Sequence, residues 1–209
     1  MKQLWDENYE YMKGTGAGSG TGSTLDATKS IVERLPGILK QLDIRSMLDI
    51  PCGDFHWMSQ IDLEACGVRA YIGADIVEEN IIHNTDKYTR QGGIKTFMMS
   101  DITVDPLLTV DLVFCRDCLV HFSDEDVWKA LKNIVASGSK YLMTTCFIDR
   151  RENFDIKTGD WRTLNLEQAP FNFPAPLGLL NENCPEQAGI FGDKCLSLWK
   201  VEDLRAIIV

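Results

Sequence analysis

Short runs of apolar residues alternate with stretches of helical periodicity along most of this chain. Strands that alternate with helices build βαβ units, in which helices cover both faces of a largely parallel sheet. The sequence therefore predicts a doubly wound α/β fold. The predicted strands are the apolar runs 47–50, 70–74, 95–99, 111–115 and 140–145, together with a last strand at 194–201.

Three stretches have the features of helices. Between 26 and 42, apolar residues recur at steps of three and four positions, which is the spacing of one helix face. The other two helices are predicted at 78–90 and 123–136. Ser123 stands three residues before Asp126 and resembles a capping box with Asp in place of Glu, so we expect a helix to begin there.

Length and charge exclude several function classes. With 209 residues the chain is predicted to form one domain. Its 31 acidic and 21 basic side chains give a formal net charge of −10. A large nucleic-acid surface is not expected, because such surfaces use Lys and Arg to neutralise phosphates. No apolar run reaches the ~18–20 residues of a membrane helix, and the first residues lack the apolar core of a secretory signal.

The seven cysteines are scattered, and several lie in apolar runs. A cysteine in such a run behaves as a small buried hydrophobe, so the pattern predicts a reduced, cytoplasmic protein. Cys115 and Cys118 form a C-x-x-C pair, for which a redox or zinc site is the alternative. Because Cys184 and Cys195 do not have a standard spacing for the second half of a zinc site, we expect no metal.

The first residues differ in composition from the rest of the chain. Trp5 and Tyr9 belong to an aromatic segment, which is followed by a stretch rich in Gly, Ser and Thr at 14–24. That stretch is either a flexible linker or a lid over a ligand, and the aromatic residues indicate a helix that docks on the body. We therefore divide the chain into an N-terminal segment at 1–25 and a domain at 26–209.

Charged residues follow the predicted strands. Asp49, Asp75 and Asp101 stand at the ends of the first three strands, and Arg116 and Asp117 follow the fourth. In an open α/β sheet, ligands bind beyond the carboxyl ends of the strands. The shared position of these residues therefore predicts a ligand site at that edge of the sheet.

These motifs resemble those of the class I methyltransferases that depend on S-adenosylmethionine. The resemblance covers about residues 26–150. It implies a seven-stranded, mostly parallel Rossmann-like sheet with an antiparallel C-terminal strand, and transfer of a methyl group that leaves S-adenosylhomocysteine as product. The motifs are M-L-D-I-P-C-G-D-F (47–55), G-A-D (73–75), S-D-I (100–102), D-L-V-F-C-R (111–116) and C-L-V-H-F-S (118–123).

The glycine-rich turn of that family is altered in this chain. The three places of G-x-G-x-G are held by Pro51, Gly53 and Phe55. The remaining glycine still lets the backbone approach a ligand closely. The G-x-G-x-x-G fingerprint of a dinucleotide site is absent here. The turn therefore favours a ligand without phosphates.

The resemblance implies how the cofactor is held. Asp75 would accept both ribose hydroxyls, and Asp101 would accept from the adenine amine. Asp49 and the Gly53 backbone would hold the methionine end. Trp57, on a helix after the first motif, would wall the pocket, with an ordinary core position as the alternative. The predicted cofactor-binding residues are Asp49, Pro51, Cys52, Gly53, Trp57, Asp75, Ile76, Asp101, Ile102 and Arg116.

Methyl transfer to a hydroxyl or a protonated amine needs a proton acceptor as well as alignment. His121, beside the expected methyl donor, is the candidate base or polar orienter. Its alternatives are a contact with the cofactor carboxylate or a cap of the next helix. Asp117 is the competing base, and Arg116 beside it would hold its charge.

Substrate contacts are expected from segments that the sheet does not need, namely 1–25 and the Asn-, Pro- and Gly-rich region 147–193. Their small size and the acidic charge favour a small-molecule acceptor. The candidates offer aromatic surfaces for stacking and a guanidinium for pairing with a carboxylate. They are Trp5, Tyr9, Trp161 and Arg162.

Three other functions stay open as alternatives. A methyltransferase acting on a protein or RNA would need a basic or extended docking surface. A nicotinamide-dependent oxidoreductase on a similar fold would need the missing glycines. A binding module without turnover would keep the cofactor site alone.

Overall fold

A seven-stranded sheet forms the centre of the molecule. The computed structural model describes residues 1–14, 19–185 and 189–208, without the side chains of 10–14. The strands are β1 (Ser46–Asp49), β2 (Ala70–Asp75), β3 (Lys95–Met99), β4 (Leu112–Cys115), β5 (Tyr141–Phe147), β6 (Gly178–Asn181) and β7 (Lys194–Lys200). The helices are α1 (Lys2–Gly14), α2 (Leu25–Gln41), α3 (Glu78–Tyr88), α4 (Asp124–Ala136) and α5 (Val201–Ile208).

The order of strands across the sheet is β3-β2-β1-β4-β5-β7-β6. The first five strands pair in parallel, and β7 runs antiparallel between β5 and β6. The predicted doubly wound fold with an antiparallel C-terminal strand is therefore confirmed. Strand order changes direction between β1 and β4, so the switch point at which α/β sheets bind ligands lies beyond these two strands.

Helices cover both faces of the sheet. One apolar layer packs α2 and α3 against the strands, and the other packs α4 and α5 against the opposite face. In α2, the apolar residues that recur at helical spacing face the sheet, and Leu35 is fully buried. Ser123 caps α4 by accepting from the Asp126 N–H at 3.3 Å, as its sequence position predicts.

The structure differs from the sequence prediction after β1. Trp57 was expected on a helix, but the described chain between β1 and β2 has only a 3₁₀ turn at Met58–Gln60. Phe55, which replaces the third glycine, has a φ of 57° and is buried. Its ring packs on Tyr71 and Phe97, with centroids 5.1 and 5.3 Å apart. The aromatic side chain therefore takes the space beside the sheet that a small residue would leave for a helix.

Two further elements were not predicted. Strand β6 lies in the region rich in Asn, Pro and Gly, and only its pairing with β7 makes it a strand. Helix α5 follows β7 directly and contributes Val201, Leu204 and Ile208 to the core. Within the described residues, no helix is both long enough and apolar enough to cross a bilayer.

We predict that Leu35→Ala lowers the free energy of unfolding by about 2–5 kcal/mol, because it leaves a cavity between α2 and the sheet. Glu33→Ala, on the exposed face of the same helix, is the matched control and should change stability by less than about 0.5 kcal/mol. Urea unfolding followed by circular dichroism measures both values. Equal effects of the two substitutions would contradict the assigned helix face.

Candidate functional site

A cavity of about 600 Å³ lies beyond the carboxyl ends of the parallel strands. Loops after β1, β2, β3 and β4 line one side, and residues of α1, the 19–23 segment and the region after β5 complete it. Every site residue predicted from the sequence lines this cavity except Arg162. The structure thus brings together predicted residues from six parts of the chain, whereas their binding and catalytic roles stay predictions.

Asp75 is a buried carboxylate in the cavity wall. Its Oδ2 accepts from the Gly53 N–H at 2.9 Å, and its Oδ1 accepts from the Val77 N–H at 2.9 Å. Burial raises the pKa of Asp75 to about 6, although these backbone hydrogen bonds lower it. The Asn80 side chain and the Ile76 N–H also interact with this carboxylate and lower its pKa, so four groups of the protein hold Asp75 in place.

Asp49 is a second buried carboxylate in the same wall. The Tyr71 hydroxyl donates to its Oδ2 at 2.5 Å. Burial raises the pKa of Asp49 to about 7, and the neighbouring Asp75 raises it further, while Tyr71 and Arg116 lower it. A positively charged ligand beside the two carboxylates would favour their ionised form.

Gly53 stands where the chain comes closest to the 19–23 segment. Its φ is 53°, and a Cβ at this position would lie 2.6 Å from Ser19 Oγ. The same Ser19 Oγ accepts from the Asp54 N–H at 2.8 Å. Asn84 fixes the loop from the other side by donating to the Gly53 carbonyl at 2.8 Å. A glycine is therefore required here for the loop to close against its neighbours.

The glycine-rich stretch borders the cavity over its described part. Gly22 accepts from Arg116 Nη2 at 2.8 Å through its carbonyl oxygen. Upstream, α1 places Trp5 and Tyr9 in the cavity wall. Residues 15–18 of the predicted lid lie outside the described residues. The helix that was expected to dock on the body is present as α1.

Four charged side chains form a buried cluster next to the cavity. Arg116 Nη2 lies 2.8 Å from Glu182 Oε2 and 3.2 Å from Asp117 Oδ2. Lys194 Nζ lies 2.7 Å from Asp117 Oδ2 and 3.5 Å from Glu182 Oε2. Burial by itself would raise the pKa of Asp117, but Arg116 and Lys194 hold it down at about 2.

Glu182 and Lys194 were not predicted as site residues. Glu182 follows β6 and Lys194 begins β7, and both lie far along the chain from Arg116. No local motif marks them, because their partners are set by the pairing of β6 and β7 and not by neighbours in sequence. The only indication in the sequence was their charge: Glu182 is an acidic residue and Lys194 a basic residue, each at the end of a strand.

His121 has one ring nitrogen fixed by the backbone. Its Nδ1 lies 2.9 Å from the Asp160 carbonyl oxygen, which can only accept, so Nδ1 carries the proton. In neutral His121 the lone pair is therefore on Nε2. Burial lowers the pKa of His121, which favours this neutral form at pH 7. The Trp5 ring contacts the imidazole edge-on, with centroids 5.7 Å apart.

Arg162 does not occupy the position expected of a substrate contact. Its guanidinium is buried and donates to Asp124 Oδ1 at 2.6 Å and to the carbonyl oxygens of Phe154 and Phe122 at 2.7 and 2.9 Å. These bonds join three loop segments beneath the cavity wall. The expected substrate contact is therefore corrected to a structural one, while its neighbour Trp161 does line the cavity.

Trp57 and Asp101 both line the cavity and also serve the fold. Trp57 packs in the core against Phe114, with centroids 6.1 Å apart, and Arg116 lies over its ring at 5.6 Å. Trp57 therefore lies in the cavity wall and in the core at the same time, so its position agrees with both alternatives. Asp101 Oδ1 accepts from the N–H and the hydroxyl of Thr103, at 2.9 and 2.6 Å.

The C-x-x-C pair lies inside the protein. Cys115 and Cys118 are buried, and within the described residues no cysteine forms a disulfide. A hydrogen bond with Cys115 and burial raise the pKa of the Cys118 thiol well above its usual value, which disfavours the thiolate that redox chemistry and zinc binding require. Across the described part of the chain, no three His, Cys, Asp or Glu side chains converge in a way that would hold a metal ion.

Several solved structures are similar to this chain in fold. Human N-acetylserotonin methyltransferase, solved with S-adenosylmethionine, has a TM-score of 0.60 at 14% identity over 93% of this chain and 55% of its own. The [4+2]-cyclase SpnF has a TM-score of 0.57 at 14% identity over 80% of this chain and 70% of its own. The methyltransferase domain of bacterial CtHen1 has a TM-score of 0.51 at 12% identity over 57% and 66%.

This chain has the class I methyltransferase fold. At these identities the likeness is one of fold. The matched part of the chain spans just under two thirds of the CtHen1 domain and about half of the human enzyme. Neither a protein-family model nor a curated protein sequence matches the chain.

We predict that the stability of Asp49→Asn, measured relative to the wild type without ligand, is higher at pH 8 than at pH 4. The carboxyl has a pKa of about 7 in the folded state and about 4 when unfolded, so the folded state binds the extra proton between these values. The wild type therefore loses stability as pH rises from 4 to 7, on the order of 2–4 kcal/mol, and the amide does not.

Urea unfolding at pH 4, 6 and 8 measures this difference. Tyr71 can still donate to the Asn oxygen, so the substitution keeps the hydrogen bond. Parallel stability profiles for the wild type and Asp49→Asn would show that this carboxyl does not titrate in the expected window.

Proposed function

We propose that this protein is a methyltransferase that uses S-adenosylmethionine and acts on a small-molecule acceptor. The observation that carries the proposal is the pair of buried carboxylates, Asp49 and Asp75, at the switch point of a sheet with the class I methyltransferase order. Such a pair suits a cationic nucleoside and repels a phosphate. The presence of S-adenosylmethionine in the human structure of similar fold supports the choice of cofactor.

The residues present fit this cofactor. We assign the two ribose hydroxyls to Asp75, which would accept them alongside its hydrogen bonds within the protein, and Asp101 can accept from the adenine amine. Ile76 and Ile102 offer apolar surface for the ring. Gly53 lets the loop that borders the cavity pack against Ser19, where any Cβ would clash.

The methionine end carries positive charge on sulfur and on the amine, and Asp49 is the carboxylate available to it in the wall. When bound, S-adenosylmethionine supplies an electrophilic methyl group on a cationic sulfur. The protein's part is then to orient the acceptor, exclude water and accept a proton.

We assign the proton acceptor role to Nε2 of His121. Its Nδ1–H is fixed by the Asp160 carbonyl, so the lone pair has a defined position in the cavity wall. Asp117, the competing candidate, is a weak base because Arg116 and Lys194 hold its pKa at about 2. We therefore assign Asp117 to hydrogen bonding with the acceptor.

Three features support a small-molecule acceptor. The cavity of about 600 Å³ has the size of small-ligand sites. The region 147–193 adds Phe147, Trp161 and Phe191 to the cavity wall rather than a separate docking surface. The net charge of −10 disfavours RNA.

We further propose that α1 and the glycine-rich stretch form a lid over the bound ligands, because Trp5, Ser19 and Gly22 all border the cavity. The boundary between this N-terminal segment and the catalytic domain would then lie near residue 25. We also propose a reducing compartment, the cytoplasm, which the burial of the seven cysteine side chains as small apolar groups supports.

We predict that S-adenosylhomocysteine raises the melting temperature of the wild-type protein by about 5–10 °C at a concentration 100 times its dissociation constant. Asp75→Asn should lower its affinity at least tenfold, because an amide accepts fewer hydroxyl hydrogen bonds than a carboxylate. Differential scanning fluorimetry gives both values.

Asp86→Asn, an exposed change of the same chemistry on α3, is the control and should leave the shift unchanged. Absence of any shift for the wild type at millimolar S-adenosylhomocysteine would refute the proposed cofactor. A shift of equal size in Asp75→Asn would refute the role of this carboxylate.

A further inference from the structure

The cavity has two parts with different chemistry. The donor part lies at the ends of β1, β2 and β3 and contains the carboxylates Asp49, Asp75 and Asp101. The acceptor part lies at the ends of β4, β5 and β7 and is mostly aromatic. The residues of the acceptor part are Trp5, Arg116, Asp117, His121, Phe147, Trp161, Phe191 and Lys194.

Trp161 provides an open aromatic surface in the acceptor part. Its side chain is 46% exposed, which is high for a tryptophan in a cavity wall. Phe147 and Phe191 hold the indole in edge-on contacts, with centroids 5.9 and 5.1 Å apart. Their rings also contact each other at 5.7 Å. The indole is therefore fixed in place while part of its surface stays available to a ligand.

The same short segment fixes Trp161 and His121 relative to each other. Asp160 accepts from His121 Nδ1 at 2.9 Å, and the Gly159 N–H donates to the His121 carbonyl at 2.8 Å. On the other side of Trp161, the Arg162 N–H donates to the Val120 carbonyl at 3.0 Å. A molecule that lies on the indole is therefore held at a set distance from the imidazole.

The charges in the acceptor part select for a neutral molecule. The two cations and two anions of the buried cluster sum to zero, so they create no strong attraction for an ion. Within that cluster the side chain of Asp117 is 24% exposed, whereas those of Arg116, Lys194 and Glu182 are 5% or less. The group that a ligand meets is the Asp117 carboxylate, which accepts hydrogen bonds and offers no donor to an anion. Its charge is already balanced by Arg116 and Lys194, so it has no net charge left to attract a cation.

We propose that the acceptor is a neutral, hydroxylated ring compound that packs on the indole of Trp161 and is methylated on oxygen. One hydroxyl meets Nε2 of His121, and a second donor on the ring meets the Asp117 carboxylate. This proposal rests on the proposed function for its methyl donor, but the ring site itself is defined by Trp161, His121 and Asp117 alone.

The transfer step balances in atoms and charge. The hydroxyl oxygen forms a bond to the methyl carbon as the bond between that carbon and sulfur breaks, and the bonding pair stays on sulfur. The hydroxyl proton passes to Nε2 of His121, which becomes an imidazolium. The products are the methyl ether of the acceptor and S-adenosylhomocysteine, whose sulfur is an uncharged thioether.

The test measures ring binding separately from turnover. Catechol and myo-inositol are the neutral probes, one with an aromatic and one with a saturated ring, and benzoate and benzylamine are the charged probes. Saturation-transfer NMR titrations with and without S-adenosylhomocysteine give the dissociation constants. We expect at least one neutral ring to bind about tenfold more tightly than either charged probe, and the stronger of the two identifies the type of ring.

Variants connect that binding to the indole. Trp161→Ala should weaken the neutral ring about tenfold, whereas Trp161→Phe should keep most of the affinity because it keeps an aromatic face. Phe154→Ala is the control, because it removes an aromatic side chain that is 68% exposed and outside the cavity. It should leave the affinity for the neutral ring unchanged. His121→Gln should keep ring binding and lose the formation of methyl ether, followed as a +14 Da product.

Three results would overturn the proposal: no neutral ring binds at millimolar concentration, a charged probe binds as tightly as a neutral one, or Trp161→Ala binds as the wild type does. The cofactor is judged separately, since the shift caused by S-adenosylhomocysteine should be the same in Trp161→Ala and wild type. A wild type that binds the neutral ring but not S-adenosylhomocysteine would refute the proposed function and retain the ring site.

Discussion

Burial of charge at the carboxyl ends of the strands is the constraint on which the site depends. Asp49 and Asp75 lose most of their hydration there, and hydrogen bonds from Tyr71, Gly53 and Val77 replace only part of it. Their raised pKa values express this deficit. Stability is thus given up at these two positions, which is a common trade-off at functional sites, and the proposed cationic cofactor would restore it there.

The neighbouring ion cluster compensates the burial of its charges by ion pairing. Arg116 and Lys194 neutralise Asp117 and Glu182 within the protein, so this cluster needs no ligand to balance its charge. Removing one member would leave its partners buried and unpaired. The destabilisation that results is much larger than the net stabilisation that an intact buried ion pair provides. At the cluster end of the cavity the buried charges are therefore balanced within the protein. At the other end, hydrogen bonds compensate only part of the cost of burying Asp49 and Asp75.

Loss of two glycines from the first motif changes both the local fold and the ligand that it suits. Phe55 fills the space where a helix would pack, and the chain instead forms a loop with a short 3₁₀ turn. Gly53 remains, because its positive φ and the approach of Ser19 leave no room for a side chain. Within the described residues, this loop therefore lacks the helix N-terminus that holds a phosphate in dinucleotide sites.

The sequence by itself determined six of the seven strands, the helices up to α4 and the acids at the strand ends, because periodicity and strand boundaries are local properties. It also determined which residues after β1 to β4 face the cavity, since the carboxyl ends of parallel strands share one edge. Only the tertiary structure decided that Glu182 and Lys194 meet Arg116, that Arg162 turns beneath the wall, and that Asp160 fixes His121. These contacts join residues far apart in the chain, and their geometry follows from strand pairing and loop packing, which no local pattern encodes.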